Sequence, residues 1–177
     1  MKASVFVGTS LDGFIARANG AFDFLPVGGG EPHGYDEFMQ SVDALVIGRN
    51  TYETVLAMGG AWPYGNKLVV VLSTRTLAPA PSGARVEHMS GPPAQIQAQL
   101  AARGIQHAYI DGGITIQEFL RAGLIQRLIV TRVPVLIGSG IPLFGTVARD
   151  IPLKHIATRH YASGLVQSEY RVGSTFE

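Results

Sequence analysis

The sequence has 177 residues, of which 46% are hydrophobic and 15% are charged, and its formal net charge is +1. This length and apolar content suit one domain, residues 1–177, with a substantial core, and they argue against disorder over the whole chain. The near-neutral charge gives no general attraction to nucleic acid or to an anionic membrane, so neither is expected as a partner.

Residue types and segments that the sequence lacks remove further classes of function. There is no cysteine, which excludes disulfides, thiolate catalysis and cysteine-ligated zinc. The five histidines show no metal-ligand spacing, so no metal site is predicted. No segment approaches about 18 apolar residues and the N-terminus does not resemble a signal peptide, so no membrane span is expected and the cytoplasm is the expected location.

Apolar runs and turn residues predict strands that alternate with helices over most of the chain. The strand candidates rich in Val and Ile are Ala3–Gly8, Ala44–Gly48, Lys67–Leu72, His107–Asp111 and Leu128–Val135. Because their apolar character is nearly continuous, we expect both faces to be covered, as in a parallel sheet with right-handed crossovers. The helix candidates are Tyr35–Gln40, Asn50–Ala57, a segment around Ile96 and Leu100, and Ile114–Ala122.

The C-terminal part has a different pattern. Segments near Ile156–Tyr161 and Val166–Val172 alternate apolar and polar residues, which predicts an antiparallel hairpin at the edge of the sheet. Three loops rich in Gly and Pro, residues 27–34, 58–66 and 77–83, are short and lie between core elements. We interpret them as functional loops over one α/β sheet rather than as domain boundaries.

Glycine, hydroxyl and arginine side chains occur where the predicted strands end, which is the edge at which open α/β sheets bind ligands. Helices are predicted directly after Gly48-Arg49 and after Gly112-Gly113. A helix N-terminus offers free N–H groups to an anion, and glycine lets the backbone approach it. Two such helix starts could therefore bind two phosphate groups of one ligand.

A third strand end carries Ser73, Thr74 and Arg75, where NAD-binding proteins usually place an acid for the ribose diol. Hydroxyls and a cation without an acid favour the adenosine 2′-phosphate of NADP. Arg49 could join the same phosphate-binding cluster. The alternative for Arg49 is an ion pair with Glu53, which lies four residues further along the predicted helix.

Several segments together resemble the dihydrofolate reductase superfamily, and most closely the RibD C-terminal domain, which is the reductase domain of the bifunctional riboflavin-biosynthesis enzyme. They read VIGRNTYETV, LVVVLSTRT, YIDGGITIQEFL and LIVTRVPVLIGSGIPLFG, preceded by SLDGFIARANG and FDFLP. The resemblance implies an α/β, dihydrofolate reductase-like three-layer fold. Its central sheet would be mostly parallel, with a C-terminal antiparallel edge hairpin.

The resemblance also implies which residues bind NADPH. The nicotinamide side would be lined by Thr9, Phe14, Ile15 and Ala16, and the phosphates would be held by Gly48, Arg49, Asn50 and Thr51. The 2′-phosphate would lie near Ser73, Thr74 and Arg75. The pyrophosphate would lie against Gly112 and Gly113, with Asp111, Ile114 and Thr115 beside them. In that family the peptide between the paired glycines is cis, so a cis bond is expected between Gly112 and Gly113.

Reduction also needs a proton donor, and three acids are candidates. Asp36 is the first choice because it opens the short helix beside the nicotinamide side, and Glu37 is the second. Asp12 is the third, because its loop would pass under the nicotinamide. Asp36 could instead stabilise the start of its helix. The loop after Leu25-Pro26 is longer than in dihydrofolate reductases, which argues against folate as the substrate.

The sequence therefore predicts a stand-alone NADPH-dependent oxidoreductase acting on a small heterocycle, either pterin-like or ribosylamino-pyrimidine-like. An alternative is the 5-amino-6-(5-phosphoribosylamino)uracil reductase of riboflavin biosynthesis, whose substrate phosphate needs cations such as Arg17 and Lys154. A non-catalytic nucleotide-binding protein of the same fold and a flavin-binding protein are also compatible with the sequence. Deaminase activity is not expected without cysteine. A homodimer is expected through sheet edges and the Val133–Ile137 stretch.

Overall fold

The computed structural model describes residues 1–26 and 31–173, which contain ten strands and four helices. The strands are β1 (Lys2–Ser10), β2 (Phe14–Ala16), β3 (Ala44–Gly48), β4 (Leu68–Leu72), β5 (Arg85–Met89), β6 (His107–Asp111), β7 (Arg127–Val133), β8 (Ile141–Pro142), β9 (Leu153–His160) and β10 (Val166–Val172). The helices are α1 (Tyr35–Ser41), α2 (Arg49–Met58), α3 (Pro93–Ala102) and α4 (Gly113–Arg121).

Eight of these strands form one sheet in the order β5-β4-β3-β6-β1-β7-β10-β9. The strands from β5 to β7 in that order are parallel to one another, and β10 and β9 continue the sheet antiparallel. The short strands β2 and β8 pair separately. The predicted α/β fold is confirmed, with its mostly parallel sheet and its C-terminal antiparallel edge hairpin.

Both faces of the parallel strands are covered, which explains their nearly continuous apolar sequence. On one face, Ile116 and Phe119 of α4 pack in a core with Val46 of β3. On the other face, Phe38 of α1 and Tyr52 of α2 belong to a core with the next strand residue, Ile47. The sheet is therefore the middle of three layers.

Three strands were not predicted, and each lacks the apolar run that identified the others. β5 pairs with one neighbour, β4, at the edge of the sheet, so its side chains are half-buried or exposed and its sequence is mixed. β2 and β8 have three and two residues, which is too short for a periodic pattern. β7 ends at Val133 rather than at Val135 because Pro134 follows, and proline has no N–H for the sheet.

The predicted loops connect to the rest of the structure in different ways. Residues 27–30 of the first loop lie outside the described part of the chain. In the second loop, Tyr64 is buried and its ring centroid lies 5.1 Å from that of Trp62. That loop therefore belongs to the core on the α1 and α2 side of the sheet.

Candidate active site

The carboxyl ends of β4, β3 and β6 lie side by side at one edge of the sheet, because the three strands are parallel neighbours. Gly48 is in register with Leu72 of β4, and β6 pairs with β3 as far as Asp111. The strand ends that the sequence singled out, at Gly48, Ser73 and Gly112, therefore face the same region of the protein.

The starts of α2 and α4 interlock through two glycines and two threonines. Gly48 and Gly112 precede the helices, and Thr51 and Thr115 each follow three residues later. A Cβ atom on Gly112 would lie 2.5 Å from Oγ1 of Thr51, and one on Gly48 would lie 2.9 Å from Oγ1 of Thr115. Each threonine thus occupies the space left by the glycine of the other helix start. The Gly-x-x-Thr pattern occurs at both helix starts in the sequence, but only the pairing of β3 with β6 brings the two together.

Gly112 also sets the direction of the backbone between β6 and α4. Its φ is 93°, in the left-handed region that residues with a Cβ atom rarely adopt. The Gly112–Gly113 peptide is trans, so the expectation of a cis bond is wrong. The φ of Gly112 makes the turn with an ordinary peptide bond.

Both helix starts offer backbone donors. Neither Gly48 nor Gly112 provides a side-chain cap for the helix that follows it. The N–H groups of the first turn of each helix therefore have no intrahelical partner, and the helix dipole adds partial positive charge there. Because α2 and α4 begin side by side, their free donors point to the same place, which suits a ligand with two linked anionic groups.

A cleft of about 770 Å³, including the part open to solvent, begins at these helix starts. Its wall includes the following residues predicted to bind the cofactor: Ile15, Ala16, Asn50, Thr51, Asp111, Gly112 and Gly113. The β2–β8 pair closes one side, because a Cβ atom on Gly113 would lie 2.9 Å from Cγ2 of Ile141 and 3.1 Å from Cγ2 of Ile15. Glycine at position 113 thus lets Ile15 and Ile141 pack closely against the start of α4.

Other predicted cofactor residues lie around the cleft rather than in its wall. Gly48 and Thr115 form part of the interlock between the helix starts. Thr9 is 1% exposed, within β1, and Ile114 is 60% exposed, on the first turn of α4. These positions can support the wall or border a ligand, and the structure brings their side chains into no direct contact with the cleft.

Arg49 and the 73–75 segment flank the helix starts. Nη1 of Arg49 donates a hydrogen bond to Oε1 of Glu53 at 2.8 Å, which is the ion pair that the sequence left open as an alternative. Oγ of Ser73 accepts the N–H of Arg75 at 2.9 Å and donates to its carbonyl oxygen at 2.8 Å. Ser73 therefore fixes the turn, while the side chains of Thr74 and Arg75 are exposed.

The three acids predicted as proton donors lie outside the described wall of the cleft. Asp36 and Glu37 are exposed on α1. The carboxylate of Asp12 accepts the N–H of Gly138 at 2.8 Å. Hydrogen bonding with Ser10 and with backbone N–H groups holds the pKa of Asp12 below its ordinary value. Asp12 therefore fastens the loop after β1 to the loop after β7 as a carboxylate.

The acid that lines the cleft is Asp111, the last residue of β6. Its Oδ1 accepts the N–H of Gly112 at 2.7 Å. Burial raises the pKa of the Asp111 carboxyl, and the hydrogen bond from the Gly112 N–H opposes part of that rise. Asp111 entered the predicted set only through the resemblance. Its place at the end of a parallel strand was the signal for an acid facing a ligand.

Tyrosines from three elements lie near Asp111. The hydroxyl of Tyr109 donates to the carbonyl oxygen of Phe6 at 2.6 Å. Burial, and then the charge of Asp111, raises the pKa of Tyr35 to about 12, and the same causes raise the pKa of Tyr64. The hydroxyls therefore remain protonated at neutral pH. This end of the cleft combines one acid with aromatic surface from Phe6 and Tyr109.

Comparison with known proteins agrees with this arrangement. Residues 2–167 match the RibD C-terminal domain. The chain belongs to the RibD C-terminal domain family. This RibD C-terminal domain is 32% identical over 175 residues to the uncharacterized protein YwjB of Bacillus subtilis (strain 168), across 96% of this chain and 97% of that protein.

Solved structures confirm the fold of this RibD C-terminal domain. It is similar to a Shewanella sp. PV-4 protein described as a candidate riboflavin biosynthesis protein, with 39% identity, a TM-score of 0.89, and coverage of 97% of this chain and 99% of that chain. The dihydrofolate reductase of Enterococcus faecalis complexed with NADP(H) shares the fold at 18% identity, with a TM-score of 0.62 and coverage of 97% and 94%.

Membrane spans and metal clusters are both absent from residues 1–26 and 31–173. No helix within these ranges has both the length and the apolar character needed to cross a membrane. No group of three or more His, Asp or Glu side chains within the same ranges is arranged to hold a metal ion. The cleft lined by Asp111 and by the starts of α2 and α4 is the candidate active site.

Proposed function

We propose that this RibD C-terminal domain protein is an NADPH-dependent reductase of a small heterocyclic substrate, pterin-like or ribosylamino-pyrimidine-like. The observation that carries the proposal is the meeting of two helix starts at one cleft, with glycine wherever a Cβ atom would clash with the side chains packed around these starts. These glycines are Gly48, Gly112 and Gly113. The binding of NADP(H) by a dihydrofolate reductase of the same fold supports the choice of cofactor.

The residues around the cleft suit the parts of NADPH, which when bound supplies a hydride to the substrate. The first-turn N–H groups of α2 and α4 would bind the pyrophosphate. Residues 73–75 would bind the 2′-phosphate, together with Arg49 once it leaves its ion pair. Thr9, Ile15 and Ala16 would border the nicotinamide, and the β2–β8 pair would exclude water from that side.

We further propose that Asp111 is the acid that delivers a proton to the reduced substrate. It lines the cleft, whereas Asp36, Glu37 and Asp12 lie outside the described wall. Burial favours the protonated carboxyl of Asp111, and a general acid works best when its pKa is near the working pH. The N–H of Gly112, at 2.7 Å from Oδ1, would hold the carboxyl in place after the proton leaves.

A second candidate is the uracil reductase of riboflavin biosynthesis, which the name of the family supports. We also propose a homodimer that uses the exposed segment after β7, where Leu136 is 70% exposed, together with the antiparallel edge of the sheet. The cytoplasm remains the location predicted from the sequence.

The test is NADPH oxidation by purified protein with a panel of pterins and ribosylamino-pyrimidines. At least one compound should be reduced at a rate that depends on Asp111. Calorimetric titration with NADPH is run in parallel. Tight NADPH binding without oxidation of any compound would favour a non-catalytic nucleotide-binding protein, and no NADPH binding would contradict the proposal. A yellow purified protein would instead indicate flavin.

A further inference from the structure

The charges around the cleft restrict what the substrate can carry. Among the described residues of its wall, Asp111 is the only charged side chain, and none is Lys, Arg or His. The sequence between Phe24 and Glu31 also contains no Lys, Arg or His. A phosphate group on the substrate would need a cation from elsewhere in the chain.

Arg17 is the cation that follows directly after the wall residue Ala16 in the sequence, and it is paired with Asp23. Its Nε donates to Oδ1 of Asp23 at 2.5 Å, and its Nη2 donates to Oδ2 at 3.0 Å. These bonds use both carboxylate oxygens, and they lower the pKa of Asp23 below its ordinary value. The guanidinium also lies 5.8 Å from the centroid of the Phe24 ring. Arg17 is therefore held beside the loop and away from the wall.

Three other basic side chains also lie away from the described wall of the cleft. Arg49 is paired with Glu53 on α2, at the end proposed for the cofactor. Lys154 lies on β9, which β7 and β10 separate from β1. His33 packs edge-on against Tyr161, with ring centroids 4.6 Å apart. Each of these side chains lies outside the described wall of the cleft.

Much of the wall of the cleft is apolar and aromatic, including Phe6, Phe22, Leu25 and Tyr109. A phosphate group placed there would lose hydration without gaining an opposite charge, and that exchange is costly. An ionised Asp111 would add repulsion. A flat ring with N–H donors gains contact with the aromatic side chains and can donate to an oxygen of the Asp111 carboxyl group.

We infer that the substrate of this site is an unphosphorylated heterocycle, and that Asp111 rather than a cation holds its polar edge. The inference rests on the proposed function, because it assigns to the substrate the part of the cleft that NADPH would leave free. It separates this protein from a reductase that requires a phosphoribosyl group.

The test compares a ribosylamino-pyrimidine with its own 5′-phosphate. The kcat/KM of NADPH oxidation and the calorimetric affinity for the protein–NADP⁺ complex are measured for both compounds. The unphosphorylated compound should be favoured at least about tenfold, or ~1.4 kcal/mol. Equal use of the two, preference for the phosphate, or no binding of the unphosphorylated compound would overturn the inference.

Two variants show whether Arg17 recognises phosphate. Arg17→Gln should leave the ratio between the two compounds unchanged within about twofold, because Arg17 lies outside the described wall of the cleft. Asp23→Asn frees the guanidinium and should shift the ratio toward the phosphate. A loss of phosphate binding in Arg17→Gln would contradict the inference.

Failure of the proposed function can be distinguished from failure of the inference. A separate titration with NADP⁺ tests the cofactor site alone. If NADP⁺ does not bind, the same two compounds are titrated into the protein without cofactor. Their relative affinities still report whether the cleft accepts or rejects a phosphate group.

Discussion

The two ends of the cleft are built from different parts of the protein. At one end, the starts of α2 and α4 present backbone N–H groups, and glycines and threonines interlock behind them. Beside the start of α4, side chains from β1, β6 and α1 surround a single acid, Asp111, with aromatic rings. The helix starts suit the proposed cofactor. The region around Asp111 suits the substrate.

This difference predicts unequal sensitivity to mutation. Backbone donors are positioned by φ, ψ and close packing, so a single added carbon atom displaces them. A side-chain group such as the Asp111 carboxyl can be replaced by an isosteric amide without moving the backbone. Changes at the helix starts should therefore remove binding, whereas changes at the acid should remove turnover and leave cofactor binding intact.

The largest effect is expected from Gly112→Ala. The new Cβ atom would lie 2.5 Å from Oγ1 of Thr51 at a φ of 93°, so the helix starts must separate. NADPH affinity measured by calorimetry should fall at least about 1000-fold, or ~4 kcal/mol.

The matched control for Gly112→Ala is Gly123→Ala. Gly123 has a φ of 69°, and a Cβ atom added there would meet no side chain or distant backbone of the described residues within 4 Å. This variant therefore carries the backbone strain of about 1–2 kcal/mol without the clash. Thermal unfolding should show a loss in both variants, while NADPH affinity should fall in Gly112→Ala alone. Equal NADPH affinity in the two variants would contradict the role of the interlock.

The next largest effect is expected from Asp111→Asn. The amide keeps the shape of the carboxyl but cannot deliver a proton, so kcat should fall about 100-fold, in the usual range for loss of a general acid. NADPH affinity should remain close to that of the wild type. Asp36→Asn is the matched control, because Asp36 lies outside the described wall of the cleft. A larger loss of kcat in Asp36→Asn would restore the acid first predicted from the sequence.

A smaller effect is expected from the cations beside the helix starts. Arg75→Ala and Arg49→Ala should each weaken NADPH binding about tenfold or more, since a charged hydrogen bond contributes about 1.5–3 kcal/mol. NADH, which lacks the 2′-phosphate, should lose little affinity. Glu53→Gln frees Arg49 from its ion pair and should raise the affinity for NADPH relative to NADH. Equal losses for the two cofactors would contradict the 2′-phosphate role.

The sequence predicted the elements whose signals are local. Continuous Val and Ile runs identified the buried parallel strands, and glycines before α2 and α4 identified the helix starts. The interlock of Thr51 with Gly112 depends on which strands are neighbours, and β3 and β6 are far apart in the sequence. The edge strand β5 lacks an apolar run because it has one neighbour in the sheet.

The acid end of the cleft was harder to predict for a similar reason. Tyr35, Tyr64 and Asp111 belong to three separate segments, and only the fold brings them together. Asp36 opens the short helix that was expected beside the nicotinamide, so it was the preferred acid, yet its side chain is exposed on α1. The helix α1 has seven residues, which is too few for a periodic pattern to predict which of its faces is exposed.

The smallest effect is a change in how stability depends on pH. The pKa of Asp111 is raised in the folded protein by burial, so the folded state binds its proton more tightly than the unfolded chain does. Stability contributed by this proton is present below the unfolded pKa, near the value of about 4 for a solvated aspartate, and is lost as pH rises through the folded pKa. Asp111→Asn removes that loss, so its stability relative to the wild type should increase as pH rises from acid to neutral.

Asp43 provides a control of opposite sign for this pH effect. Its Oδ2 accepts the N–H groups of His107 and Gln106, each at 2.8 Å, and these bonds hold the pKa of Asp43 below its ordinary value. Its contribution is therefore present above the unfolded pKa and is lost as pH falls, so Asp43→Asn should cost most at neutral pH. Thermal unfolding of the two variants and the wild type across this pH range measures both trends. Parallel curves of stability against pH for Asp111→Asn and the wild type would show that the Asp111 carboxyl ionises as easily in the folded protein as in water. Such an acid could not hold a proton for the substrate at neutral pH.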